Sequence, residues 1–254
     1  MAGFDLSKAA GLGTEDIDPS VLGMPLLSIM QKGSPEVDVT HKEHATKTID
    51  GIKVGDAILT SQRAILPNPF QVIPLRQQVC YAEWEPKKPG SKGLVCHRDL
   101  TAPDLPGYRK GDPGSDKKWK EYLGDNELIK TYYFHVMLLL NEEWVPAVFA
   151  MSGGSLAPAR GWQRDLLNRK YPNNAMRPPI FSSVWDVSVI QGTSQVSGDG
   201  FFKWEIGNPV FLDLKKDQDL LEMAFNGCKG VTPMRLEGGK TTPALKSGDD
   251  ADLV

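Results

Sequence analysis

Three groups of residues carry types that could do chemistry, and none has the spacing that chemistry needs. His41 and His44 sit three apart in HKEH. A helical zinc site uses H-E-x-x-H, which puts both rings on one face. The flanking residues here read as extended, a geometry that splays neighbouring side chains onto different faces. Cys80, Cys96, His97 and Cys228 are zinc-type donors without a C-x-x-C pair among them. Isolated cysteines usually serve as small buried apolar residues. SGGS at Ser152–Ser155 lacks the G-x-S-x-G elbow of a serine hydrolase. Neither a P-loop nor a Gly-rich dinucleotide fingerprint occurs. His135 lies in an apolar run and reads as a core histidine. The chain therefore reads as a non-enzyme, with no catalytic residue, metal or cofactor expected.

Binding chemistry has more support. Lys87, Lys88, Lys92, Arg98, Arg109, Lys110, Lys117, Lys118 and Lys120 are interleaved with Trp84, Tyr108 and Trp119. A second basic cluster, Arg160, Arg164, Arg169, Lys170 and Arg177, carries Trp162 and Tyr171. Cations that track phosphates and aromatic faces that stack bases are the two components of single-strand recognition. Asp99, Asp104, Asp112, Asp116 and Asp165 dilute both clusters, and Trp162 and Trp204 also fit core positions. The candidate phosphate ligands are Lys87, Lys88, Lys92, Arg98, Lys117, Lys118, Arg160, Arg164, Arg177 and Lys203. The candidate stackers are Trp84, Tyr108, Trp119, Trp162 and Phe201.

The elements that must position these groups are mostly strands. VIPLRQQVCYAEW alternates Val79, Tyr81 and Glu83 with Cys80, Ala82 and Trp84, the period of two of a half-buried strand. LIKTYYFHVMLLL and EWVPAVFAMS form a hairpin turning at Asn141–Glu143, with Tyr132, Phe134, Val136 and Leu138 as core. FSSVWDVSVI and FFKWEIGNPV form a second hairpin, with Val187 and Val189 as core. SLAPARGWQRDLLNRK reads as a helix capped by Ser155, with Leu156, Ala159, Trp162, Leu166 and Leu167 near one face. DLKKDQDLLEMAFNGCKG reads as a closing helix capped by Asp213 and stopped by Gly227. The Pro-, Gly- and Lys-rich stretch 86–126 reads as a basic loop insertion with one short helix around DKKWKEYL. The expected fold is mainly β, an OB-like barrel with that insertion and two or three peripheral helices. Its domain spans 25–229, between a flexible arm at 1–24 and a disordered acidic tail at 230–254.

With 254 residues the chain can bury one large core. Its net charge of −3 gives no bulk attraction for nucleic acid, so local patches must supply any. No apolar run reaches the roughly 20 residues of a membrane span, and no signal-peptide pattern opens the sequence. Three scattered cysteines fit a reducing compartment, so a cytoplasmic protein without membrane contact is expected.

The tail LKSGDDADLV places Asp249, Asp250 and Asp252 before two aliphatics, Leu253 and Val254. Acids attract basic surfaces, and a terminal aliphatic pair fits a small apolar pocket on a partner. The β-rich core, the basic and aromatic loops and this tail together resemble the phage-encoded single-stranded DNA-binding proteins of the T7-like type. That resemblance implies an OB barrel that binds single-stranded DNA and a tail that meets replication proteins. The tail here is shorter and ends in aliphatics where that type has an aromatic. PLLSIMQKGSPEV, KVGDAIL, VIPLRQQVCYAEWEP and GFFKWEI are also similar to a group of phage early-region proteins. The expected function is single-stranded DNA binding in phage replication or recombination, with a homodimer allowed. The alternative is a phage structural or assembly protein without nucleic-acid affinity, and a zinc enzyme across the Cys/His donors is a third.

Overall fold

A computed structural model of the chain describes residues 25–86, 93–103, 105, 121–171, 177–193, 200–231 and 237. In chain order the elements are β1 (Leu26–Ile29), α1 (His44–Lys47), β2 (Ala57–Leu59), β3 (Ala64–Ile65) and β4 (Phe70–Trp84). There follow β5 (Leu94–Arg98), β6 (Glu121–Leu123), β7 (Asn126–Leu140) and β8 (Glu143–Met151). A 3-10 turn at Gly153–Ser155 leads into α2 (Leu156–Asn168), and β9 (Ser183–Thr193), β10 (Gly200–Phe211) and α3 (Gln218–Gly230) complete the fold. Strand outweighs helix by 45% to 19% among these residues, and one curled half-barrel sheet holds every strand, as expected of an OB-like barrel.

The sheet is organised on β4 and β7, fifteen residues each, antiparallel from Val72↔Leu138 to Trp84↔Glu127. At one end β9 and β10 join β4, while β8, β1, β2 and β3 follow β7. At the other end the ribbon continues alone, flanked by β5 on β4 and β6 on β7. Pro74 is fully buried in this central strand, a position where a missing N–H normally breaks the ladder. The register shifts between Pro74 and Arg76, and this bulge accommodates the proline. The turn between β7 and β8 falls where the sequence puts it, with Asn141 and Glu142 both at positive φ, the pattern of a type I′ hairpin.

Both faces of the ribbon are covered. On the inner face, Val72, Tyr132, Phe134, Val136 and Leu138 meet Phe149, Trp185, Val187 and Trp204, and α2 contributes Ala159, Trp162 and Leu166. On the outer face, Ile73, Leu75 and Met137 pack under Ala224 of α3. All six predicted core residues, Tyr132, Phe134, Val136, Leu138, Val187 and Val189, are buried. Gly227 is not the stop of α3 but an interior contact, where a Cβ would sit 3.2 Å from a Leu75 methyl. Asp217 occupies the N-cap position, one turn after Asp213, whose carboxylate instead accepts from the Lys215 and Lys216 N–H groups. The curl is drawn together by Gln31, which gives Nε2–H to the Phe202 carbonyl at 2.8 Å and accepts the Phe202 N–H at 3.0 Å, as a strand would.

Stretch 86–126 is more than a loop. Its described parts include β5 and β6, and Glu121–Leu123, inside the segment expected as a helix, is strand. HKEH is not extended either, because His44 opens the short α1 and its Nδ1 bonds the Pro35 carbonyl at 2.8 Å. At the base of the ribbon Glu83 is buried, with 3% exposure. It accepts from Arg98 Nε, from Asn126 Nδ2 at 2.6 Å and from Cys96 Sγ at 3.3 Å. Burial pushes its carboxyl up, but the bonds from Asn126, Arg98 and Cys96, with the Arg98 charge, hold it below the usual range. Three strands, β4, β5 and β7, are thereby tied to one carboxylate.

Two outcomes follow. Glu142→Gly removes a left-handed non-glycine residue, a conformation costing about 1–2 kcal/mol. After glycine's extra chain entropy, stability should rise by about 0.5–1 kcal/mol, seen as a higher melting temperature. Because the folded Glu83 pKa lies below its unfolded value, the stabilisation is complete above the ordinary 4.5 and fades as pH falls through the depressed value. Glu83→Gln should cost about 3 kcal/mol at neutral pH by leaving Arg98 without its carboxylate. Denaturant melts from neutral to acid pH should then show a flatter acid limb than in the wild type, and an identical limb would remove Glu83 from the acid response.

Candidate functional site

At the ribbon end, Trp84 closes β4 and is 38% exposed, free to offer a ring face. Gly93 lies beside it at φ +87, and a Cβ there would be 3.8 Å from the indole. Arg98, expected as a phosphate ligand, closes β5 opposite Tyr81. Its guanidinium is held by the buried Glu83, so it serves the strand junction rather than a phosphate. Lys87, Lys88, Lys92, Tyr108, Lys117, Lys118 and Trp119 lie outside the described residues, as do Asp249, Asp250, Asp252, Leu253 and Val254.

Three residues of the 230–254 segment are described: Gly230 ends α3, Val231 follows it, and Glu237 is paired. Glu237 bridges Arg98 in parallel, donating its N–H to the His97 carbonyl at 2.7 Å and accepting from the Asp99 N–H at 3.1 Å. At this position the expectation of a disordered segment gives way to a strand contact on β5.

The second basic cluster is split by the burial of α2. Trp162 is 1% exposed, stacked on Phe134 at 4.4 Å between ring centres and edge-on to Phe149. A side chain sealed there cannot stack a base, which corrects its role from stacker to core. The same helical phase turns Arg160 and Arg164 outward, four residues apart on one exposed face. Arg164 meets Asp165 at 3.4 Å with both side chains exposed, a pair worth well under 1 kcal/mol. Arg160 has no ion pair among the described residues. Leu167, expected on the inner face, is half exposed beside them. Arg177 and Lys170 are exposed beyond the helix.

Phe201 and Lys203 share one side of β10, opposite the inward Phe202 and Trp204. Both are half-buried. The Phe201 ring covers Gly154 in the turn leading to α2 so closely that a Cβ there would lie 2.7 Å from it. Phe201 therefore stands at the entrance of the helix that carries Arg160 and Arg164. Gly154 went unnoticed in the sequence because a small residue in SGGS fits any turn.

The Cys/His donors do not converge. Cys80 is buried against Tyr133 and Val148, Cys96 bonds Glu83, His97 shares a 2.9 Å bond with the Tyr133 hydroxyl, and Cys228 donates to the Leu75 carbonyl. Burial, then the Asp99 charge, pushes the Cys80 thiol up to about 12, and burial is also the leading cause that raises Cys96 and Cys228. Burial lowers His97, and burial with the neighbouring Arg76 charge lowers His135. These are protonated thiols and neutral imidazoles at pH 7, and no group of three or more metal-ligating side chains assembles among the described residues.

Comparison with the curated proteins and with the solved structures gives no significant match. A family model does match, over residues 2–233, and its description is Pam3 phage gp34-like protein. That span includes the whole ribbon, the half-barrel around it and all three helices, so the chain belongs to the Pam3 phage gp34-like protein family.

Proposed function

We propose that this phage protein binds single-stranded DNA and organises it during replication or recombination. The observation that carries the reading is the outward row of Arg160 and Arg164 on the helix that seals the half-barrel, with Phe201 at its entrance and Lys203 on the same side of β10. Arg160, without an ion pair among the described residues, and Arg164, held only by an exposed pair with Asp165, stand next to a partly exposed ring. Cations beside aromatic faces are the components of a sequence-tolerant single-strand surface. Trp84, exposed where the Lys-rich stretch begins, supplies a second stacking position. The acidic C-terminal residues, ending in Leu253 and Val254, are the segment that would engage replication proteins.

A second reading has its own observation. Val210, Leu214, Met223 and Phe225 are all more than 40% exposed on the end of β10 and around α3. Such apolar exposure suits packing between phage proteins. It predicts stable high-order particles in light scattering and no affinity for oligonucleotides.

Fluorescence anisotropy of labelled oligo-dT, titrated at several salt concentrations, separates the two. Arg160→Ala with Arg164→Ala should weaken binding and lower the logarithmic salt slope by about 1.4, since each phosphate contact on a single strand contributes roughly 0.7. Changing Lys87, Lys88 and Lys92 together to Ala should lower it by about 2 on the same scale. Absence of binding at low salt would end the DNA reading and leave assembly in its place.

A further inference from the structure

The segment that follows α2 holds a cation whose placement the half-barrel does not explain. Arg169 caps the helix C-terminus and is 9% exposed. Its Nη1 donates to Ser183 Oγ and its Nη2 to the Pro179 carbonyl, while Nε is buried without a partner. Ser183 Oγ also accepts from Trp185 Nε1 at 2.9 Å, so both of the guanidinium's acceptors are neutral. No described carboxylate pairs with it. A buried charge normally has a counter-ion, because desolvation otherwise costs several kcal/mol. The carbonyls at the end of α2 offset only part of that cost.

The surroundings add charge of the same sign. Arg177 lies two residues before Pro179, whose carbonyl the guanidinium holds, and burial first, then the Arg177 charge, bring the Arg169 pKa down to about 10, with Tyr171 working against them. At that value the guanidinium is still fully charged at pH 7. Lys170 is exposed next in sequence. Between Asp165 and Asp186 the sequence contains no acidic residue. Tyr171 and Phe211, 5.3 Å apart between ring centres, wall one side with aromatic surface. The result is a local excess of three cations in a chain that is acidic as a whole.

We propose that the end of α2 is a phosphoryl-anion site, in which the exposed Arg177 and Lys170 take the oxygens of a phosphate and the fixed guanidinium of Arg169 supplies the field behind them. Arg169 is locked by Ser183 and Pro179 and presents little surface, so it acts by charge, and the direct contacts fall to the two exposed side chains. Arginine and lysine both bind phosphate, arginine through a planar fork and lysine as a point charge. The phosphate can be a nucleic-acid backbone phosphate or a free anion. The first source rests on the DNA reading above and the second does not.

Two measurements on the full chain distinguish them. In the first, inorganic phosphate is titrated at constant ionic strength while the melting temperature is followed. It should stabilise the wild type, and Arg177→Ala, a substitution at an exposed position, should keep the phosphate-free melting temperature and lose the shift. In the second, oligo-dT anisotropy should show the Arg177→Ala salt slope reduced by about 0.7. Lys215→Ala, which removes one exposed charge elsewhere, should match the wild type in both. Loss of the phosphate shift with unchanged or absent oligonucleotide binding assigns the site to free phosphate and leaves it standing even where the DNA reading fails. A reduced slope without a phosphate shift assigns it to the nucleic-acid backbone. If Arg177→Ala is indistinguishable from the wild type, or from Lys215→Ala, in both measurements, the site does not exist.

Discussion

The fifteen-residue pairing of β4 with β7 is the constraint on which the rest of the structure depends. Strands of that length are two to three times the usual, and a strand pair buried on both faces needs two separate covers. The inner face is covered when α2 inserts Trp162 between Phe134, Phe149 and Trp185, the outer face when α3 lays Ala224 and Gly227 over Leu75. Pro74 and its bulge are part of this arrangement: Ile73 and Leu75, two residues apart, both join the apolar cluster under α3, and the extra residue resets the phase so that Arg76 pairs with His135. The ribbon outruns its neighbours because β9 pairs only with Phe70–Val72, so beyond that point the strands need new partners. β5 and β6 supply them, and both come from the Lys-rich stretch.

Glu83 makes that second region hold. A lone buried carboxylate between Ala82 and Trp84 would be costly, and Arg98, Asn126 and Cys96 convert it into a junction joining β4, β5 and the start of β7. One consequence is that Arg98 cannot serve two masters. Its charge is consumed in a pair that is nearly out of water, where removing either partner is destabilising. Cationic side chains in the same stretch of sequence are thus not equivalent, and counting them overstates the field available to a ligand.

Much of this was legible in the sequence, for reasons that also explain the misses. The alternation of Val79 to Trp84 and the polar turn at Asn141 and Glu142 report local geometry, which the sequence encodes directly. Cys80 and Ala82 are buried and Val79 and Tyr81 only partly so, as a half-buried strand requires, but the buried Glu83 and the exposed Trp84 break the pattern, because a strand cannot announce which elements will cover its end. Trp162 was ambiguous for the same reason. Its spacing with Ala159 and Leu166 marks an apolar stripe, and neighbouring arginines at 160 and 164 look like partners until the helical phase is fixed by packing. Gly227 read as a helix stop because glycine commonly ends helices, yet here close approach to Leu75 is the reason for it. Glu83 carried a signal that went unused, an acid at an inward position of an apolar strand, where a buried partner is required.

The two covers also decide which side chains are left to face out. On the inner face α2 packs Trp162, which is 1% exposed, into the core of the half-barrel. The inner face is therefore closed, and what α2 leaves to solvent is its outer side. The helix's phase makes this outer side basic: with Ala159, Trp162 and Leu166 committed inward, Arg160 and Arg164 must face out, and the chain then runs through Lys170 to Arg177 without an acid. The net charge of −3 does not oppose this, because the potential near a surface is set within a Debye length of about 8–10 Å by the local groups. The residue that closes the inner face is thus the one that fixes which side chains α2 turns outward.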